Sequence, residues 1–205
     1  MKKYSSIALF LFSYLTLMST SWATTSILLL GDSVSAGYGM QEEQGWVYLL
    51  NEQLTSKKSP YKIINASVSG ETTSGGLSRL AGILDENKVD HLIIELGGND
   101  GLRGYAPKAI KKNLLQMINI AKQKNISVSL MKIKITPNYG ARYLKMFEAV
   151  FEEVAQETNS NLMPFFMEQV ALEPDLMQQD GIHPNVKAQP IIAKYVEQQL
   201  VTLME

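Results

Sequence analysis

Cysteine is absent from this 205-residue chain, and histidine occurs only twice. The first absence excludes disulfides, a thiol nucleophile and thiolate metal sites. Two histidines without a thiol also fall short of a usual nitrogen–sulfur metal site. Charge of one sign is lacking too. Nineteen basic and 20 acidic residues leave a formal net charge of −1, so no basic field draws nucleic acid. The chain has no Gly-x-Gly-x-x-Gly loop, no Walker A loop and no Gly-x-Ser-x-Gly. Dinucleotide-binding, P-loop and nucleophile-elbow proteins are therefore poor matches. After the first two dozen residues, no apolar run is long enough to cross a bilayer.

What is present begins with an export signal. Lys2 and Lys3 precede an apolar segment from Ile7 to Met18, and Ser21-Trp22-Ala23 puts small residues where a signal peptidase reads. The apolar core is short for a membrane anchor, so residues 1–23 read as a signal peptide. Cleavage after Ala23 leaves residues 24–205 as one domain with a single core.

The apolar run Ile27-Leu28-Leu29-Leu30 reads as a buried strand that breaks at Gly31-Asp32-Ser33-Val34-Ser35. Four more strands are expected, at Tyr61 to Ala66, Val89 to Leu96, Val128 to Ile135 and Leu162 to Phe165. Helical spacing appears between them. Trp46, Leu49, Leu50 and Leu54 mark one helix, and Leu77, Leu80, Ala81 and Leu84 a second, with Gly75-Gly76 loosening its entry. Pro107 starts a third, striped by Ile110, Leu114, Met117, Ile118 and Ala121. A long helix from about Ala141 to Thr158 should bury Met146, Phe147, Val150, Phe151 and Val154. The last should turn Ile191, Ile192, Tyr195, Val196 and Leu200 inward. Strands alternating with helices predict a five-stranded parallel sheet covered on both faces.

In such a sheet, ligands gather at the carboxyl ends of the strands. Ser33 stands there, and so do Gly70 in Ser67-Val68-Ser69-Gly70-Glu71 and Asn99 in Gly97-Gly98-Asn99-Asp100-Gly101. Taken singly, each is more often a turn or cap residue. A hydroxyl nucleophile also needs a base and oxyanion donors. His91 opens a strand between Asp90 and Leu92 and reads as an edge or surface histidine. His183 follows Asp180 by three residues across Gly181, a spacing that can set a carboxylate against one ring nitrogen. The other nitrogen would then accept a proton from Ser33. Oxyanion donors would be the backbone N–H of Ser33, that of Gly70 and the side-chain amide of Asn99.

Ser33 in Gly-Asp-Ser-Val-Ser, Gly70, Asn99 in Gly-Gly-Asn-Asp and His183 in Asp-Gly-Ile-His-Pro resemble the four blocks of the SGNH, or GDSL-type, hydrolases. Val34 replaces the leucine of the Gly-Asp-Ser-Leu fingerprint. Longer stretches carry the likeness further: Glu95 to Gly104, Asn138-Tyr139-Gly140, Pro164 to Glu168 and Asp180 to Asn185. They resemble a periplasmic branch of the family, and the likeness spans the whole mature chain. It implies a three-layer α/β/α, flavodoxin-like fold and hydrolysis of acyl thioesters, lysophospholipids and simple carboxylic esters. It also implies a periplasmic location and no metal or organic cofactor. Carried onto this chain, Ser33 is the nucleophile, His183 the base and then the acid, and Asp180 its orienter. Ser33, Gly70 and Asn99 become the oxyanion hole. An acyl groove would use the Ser74 to Leu80 and Ile135 to Tyr139 segments.

The partner implied is a small acyl ester or thioester, met by a monomer without stable membrane insertion. Two other readings stay open: a carbohydrate O-acetylesterase of the same fold, and a lipid-binding protein with a spent site. An intact Ser33–Asp180–His183 set argues against the second, because binding alone needs no base.

Overall fold

The computed structural model describes residues 24–204. The expected signal peptide lies outside the described residues. Five strands build one parallel sheet: β1 (Thr25–Gly31), β2 (Tyr61–Asn65), β3 (His91–Glu95), β4 (Ser127–Met131) and β5 (Asn161–Met163). Their order is β2-β1-β3-β4-β5, and every pairing is parallel. Between and after them run α1 (Ser33–Ala36), α2 (Trp46–Ser56), α3 (Thr73–Glu86), α4 (Gly98–Leu102), α5 (Pro107–Gln123), α6 (Ala141–Thr158) and α7 (Gln189–Met204). α2 packs with α7, while α3, α5 and α6 pack in series as a second helical group. The three-layer, flavodoxin-like arrangement expected from the sequence is the one observed.

Central strands lie between two helical layers, so they are apolar on both faces. Ile27 to Leu30 of β1 and Leu92 to Ile94 of β3 are buried accordingly. All five residues of the predicted α5 stripe are buried. In α6, Phe147, Val150, Phe151 and Val154 face the core, with Phe147 and Phe151 packed edge to face.

Several expectations need correction. Met146 and Ile191 are exposed, each on the solvent side of its helix, and so is Ala81. β4 stops at Met131 rather than Ile135, although Ile133 stays buried. β5 ends at Met163 rather than Phe165. Gly75-Gly76 does not loosen the entry of α3. Thr72 caps the helix by accepting from the Gly75 N–H, and a Cβ on Gly76 would lie 2.3 Å from Leu96 Cδ1. Gly76 is there for close packing.

His91 is corrected most clearly. It is buried in β3, between β1 and β4, with Nε2 2.8 Å from Ser129 Oγ. Burial in low dielectric depresses its pKa below the usual imidazole value.

This topology locates the site. β1 leads to β2 on one side, whereas the later strands build outward from β3 on the other. The crevice between the carboxyl ends of β1 and β3 is the topological switch point, where ligands bind in sheets of this order. Ser33 follows β1 there, and Asn99 follows β3.

Candidate active site

Ser33 is the first residue of α1, two residues past the end of β1. Asp32 caps that single turn, its Oδ1 accepting from the Val34 N–H at 3.1 Å. Gly37 closes it in the left-handed region at φ 73°, its N–H bonded to the Ser33 carbonyl. The tight turn at the strand end is buried from Asp32 through Ser35, Ser33 included.

The base arrives from 150 residues away. His183 Nε2 lies 2.8 Å from Ser33 Oγ, and its Nδ1 lies 2.6 Å from Asp180 Oδ2. A carboxylate can only accept, so Nδ1 carries the proton and Nε2 offers a lone pair to the Ser33 hydroxyl. The local fold follows from Asp-Gly-Ile-His. Asp180 Oδ1 accepts from the N–H groups of Ile182 and His183 at 2.9 and 3.0 Å, and Gly181 turns through φ 67°. Burial alone would raise the Asp180 carboxyl. The bonds from the His183 ring and the two backbone donors outweigh it and hold the pKa at about 2.

The loop around His183 is itself fastened. The Gln178 N–H donates to the His183 carbonyl at 2.8 Å, and its side-chain amide donates to the carbonyls of Tyr38 and Pro184. The Tyr38 ring lies against the His183 ring, with centroids 4.4 Å apart. Buried Gln189 donates to the Asn185 carbonyl and accepts from the Trp46 N–H, joining this loop to α2.

Loops after β1, β2 and β3 meet at the same place. The Val68 N–H donates to the Gly31 carbonyl, bringing the Gly70 loop against the Ser33 turn. Gly70 has φ 78°, and Arg103 Nη2 donates to its carbonyl at 3.2 Å. Asn99, in α4, donates from Nδ2 to Asp32 Oδ2 at 3.2 Å. Among the described residues, the N–H groups of Ser33 and Gly70 have no acceptor.

A GDSL-like lipase/acylhydrolase family model matches residues 29–190, which span the Ser33 turn and the His183 loop. The chain belongs to this family. It is 45% identical over 188 residues to an arylesterase of Vibrio mimicus, covering 92% of this chain and 94% of that protein. Identity is 44% over 182 residues to the thioesterase 1/protease 1/lysophospholipase L1 of Escherichia coli K12, covering 89% and 86%. The crystal structure of the psychrotrophic esterase EstA from Pseudoalteromonas sp., inhibited by monoethylphosphonate, superposes with a TM-score of 0.87 at 44% identity. That superposition covers 88% of this chain and 98% of EstA. This protein is an acylhydrolase of the GDSL type.

Beneath the Ser33 turn lie two acidic residues to which the sequence analysis assigned no role. Asp32 and Glu95 form a buried acidic pair under Ser33, with the Asp32 N–H donating to Glu95 Oε2 at 3.2 Å. Burial pushes the Asp32 carboxyl up to about 6. Burial, and then the charge of Asp32, push Glu95 well above the usual carboxylate range. A signal for Glu95 existed: an acidic residue directly after the apolar run Leu92-Ile93-Ile94 has no ordinary reason to be buried. The two segments expected to line an acyl groove lie in different settings. Residues 74–80 lie inside α3, with Leu80 fully buried. Ile135 to Tyr139 packs against α4, with Ile135 close to Gly101 and Tyr139 Oη donating to the Leu102 carbonyl.

Proposed function

We propose that Ser33, His183 and Asp180 are the nucleophile, base and orienter of an acyl-ester and thioester hydrolase, with Ser33, Gly70 and Asn99 supplying its oxyanion hole. The carrying observation is the relay Ser33 Oγ–His183 Nε2 and His183 Nδ1–Asp180 Oδ2, at 2.8 and 2.6 Å. As Ser33 Oγ attacks the acyl carbon, its proton passes to Nε2 and the carbonyl oxygen becomes an oxyanion. Hydrogen bonds from the unengaged N–H groups of Ser33 and Gly70, and from the Asn99 amide, stabilise that charge. Collapse of the intermediate expels the alcohol or thiol, which takes the proton from His183. Water then attacks the acyl-enzyme, gives a proton to His183 and releases the carboxylic acid, and Ser33 regains its hydrogen.

The substrates we assign are lysophospholipids, acyl thioesters and simple or aryl esters. Exposed Tyr38, Val68 and Ile182 support an apolar acyl group: the Tyr38 ring lies against His183, Val68 is two residues before Gly70, and Ile182 directly precedes His183. Among the described residues no helix is long and apolar enough to cross a membrane. Residues 1–23, read as an export leader, support a periplasmic location, and we assign the mature enzyme as a monomer acting on small acyl substrates.

Hydrolysis of p-nitrophenyl esters from acetyl to palmitoyl tests the reading, with the Ser33→Ala protein as reference. A maximum at medium or long chains, absent in Ser33→Ala, is the expected result. Turnover surviving in the purified Ser33→Ala protein would remove the assignment, and a steep acetyl maximum would redirect it to glycan deacetylation.

A further inference from the structure

We propose that Glu95 is a positioning residue for the hydrolysis, a buried acceptor that grips the backbone on one side of Ser33 and a side chain on the other. The inference rests on Ser33 being the nucleophile. Glu95 ends β3 and is paired in register with Gly31, the last residue of β1. Its Oε2 accepts from the Asp32 N–H at 3.2 Å and from Ser35 Oγ at 2.8 Å. Those donors lie one residue before and two residues after the nucleophile. One oxygen on the neighbouring strand therefore holds both flanks of a helix only four residues long.

The surroundings are shaped for this grip. A Cβ on Gly31 would sit 2.6 Å from Glu95 Oε2. Its φ is not in the left-handed region, so close approach is the reason glycine occupies that position. Glu95 is 1% exposed, and a carboxyl group is costly to bury unless its hydrogen bonds are worth keeping. The relay through His183 does not use it. Past the end of β3 the chain runs through Gly97 into α4, where Asn99 is bonded to Asp32. Glu95 thereby ties the nucleophile turn to the strand that leads to the proposed oxyanion donor. Its role is geometric, and any neutral acceptor of the same shape fulfils it.

The deciding experiment compares Glu95→Met, Glu95→Gln and Ser35→Ala with the wild-type protein. Ester turnover and the rate of covalent labelling by a fluorophosphonate are measured for each, and circular dichroism checks folding. Methionine fills the space but leaves the Asp32 N–H and the Ser35 hydroxyl without their acceptor. Loosening of the nucleophile by a fraction of an ångström should lower kcat and labelling by about 30- to 100-fold, with KM within about twofold. Glutamine keeps the acceptor and should restore both rates to within about threefold of wild type. Ser35→Ala removes one of the two bonds and should cost about fivefold in kcat.

A folded Glu95→Met protein with wild-type kcat overturns the proposal. So does a Glu95→Gln protein as slow as Glu95→Met, because charge and not shape would then be required. Should Glu95→Met not fold, Ser35→Ala decides: a fivefold loss supports the proposal, and unchanged kcat overturns it. Failure of the underlying reading is separately visible, because Ser33→Ala would then retain turnover.

Discussion

Asn99 has two amide hydrogens, and only one of them is held by Asp32. The bond fixes the orientation of the side chain, and in the role proposed for Asn99 the second hydrogen serves charge that exists only during reaction. Replacing Asn99 with alanine should therefore lower kcat about 100-fold, as loss of one oxyanion donor does in other hydrolases, and leave KM nearly unchanged. Steady-state kinetics on one ester checks this; a rise in KM at constant kcat would show a ground-state contact instead. The positions of Ser33, Gly70 and Asn99 were readable in the sequence because each follows an apolar strand, β1, β2 and β3 in turn. The residues that hold them were harder to see. Gln178, Gln189 and Tyr38 fasten the His183 loop through backbone carbonyls and ring packing. Such contacts depend on which distant segments meet, and local residue patterns do not record that.

Helix α3 separates two roles that glycine can have within one element. Gly82 has open space around a would-be Cβ, whereas Gly76 would drive one to 2.3 Å from Leu96 Cδ1 in the core. Gly82→Ala should stabilise the protein by roughly 0.5–1 kcal/mol, since alanine loses less backbone entropy in a helix. Gly76→Ala gains the same propensity but overpacks a site closed by Leu96, Leu30 and Met117. Overpacking costs about 1–3 kcal/mol, so the net change should be destabilising by about 1 kcal/mol. Urea midpoints of the two variants, read against wild type, should move in opposite directions. The sequence shows both glycines and no difference between them, because that difference lies in β1, α5 and the residue after β3. By contrast, the face of α5 was fully legible. Its apolar residues recur with helical spacing, while Lys108, Lys111 and Lys112 occupy other positions. The end of β4 was not, because Ile133 and Ile135 are apolar without belonging to the sheet.

Across the whole molecule, burial has forced titratable groups at opposite ends of the sheet into opposite pH responses. His91, at the amino end of β3, has its pKa lowered by burial. Between its depressed folded pKa and about 6.5, the unfolded chain binds more protons than the folded one, so its contribution to stability is lost as pH falls. Asp32, past the carboxyl end of β1, is raised by burial to about 6 from 3.8. Here the folded state binds more protons, so that contribution is present below about pH 3.8 and lost as pH rises through 6. The wild-type profile sums both and identifies neither. The variants separate them. Taking urea midpoints relative to wild type, His91→Gln should gain on going from pH 7 to pH 5. Asp32→Asn keeps a capping oxygen for the Val34 N–H and should gain on going from pH 5 to pH 7. If both variants tilted in the same direction, the assignment of opposite protonation to the two ends of the sheet would fail. The alternation of strands and helices implied that such ends exist. Which of them would bury an acid and which a base followed only from the strand order, because that order seats β3 between β1 and β4 and brings Glu95 beneath Asp32.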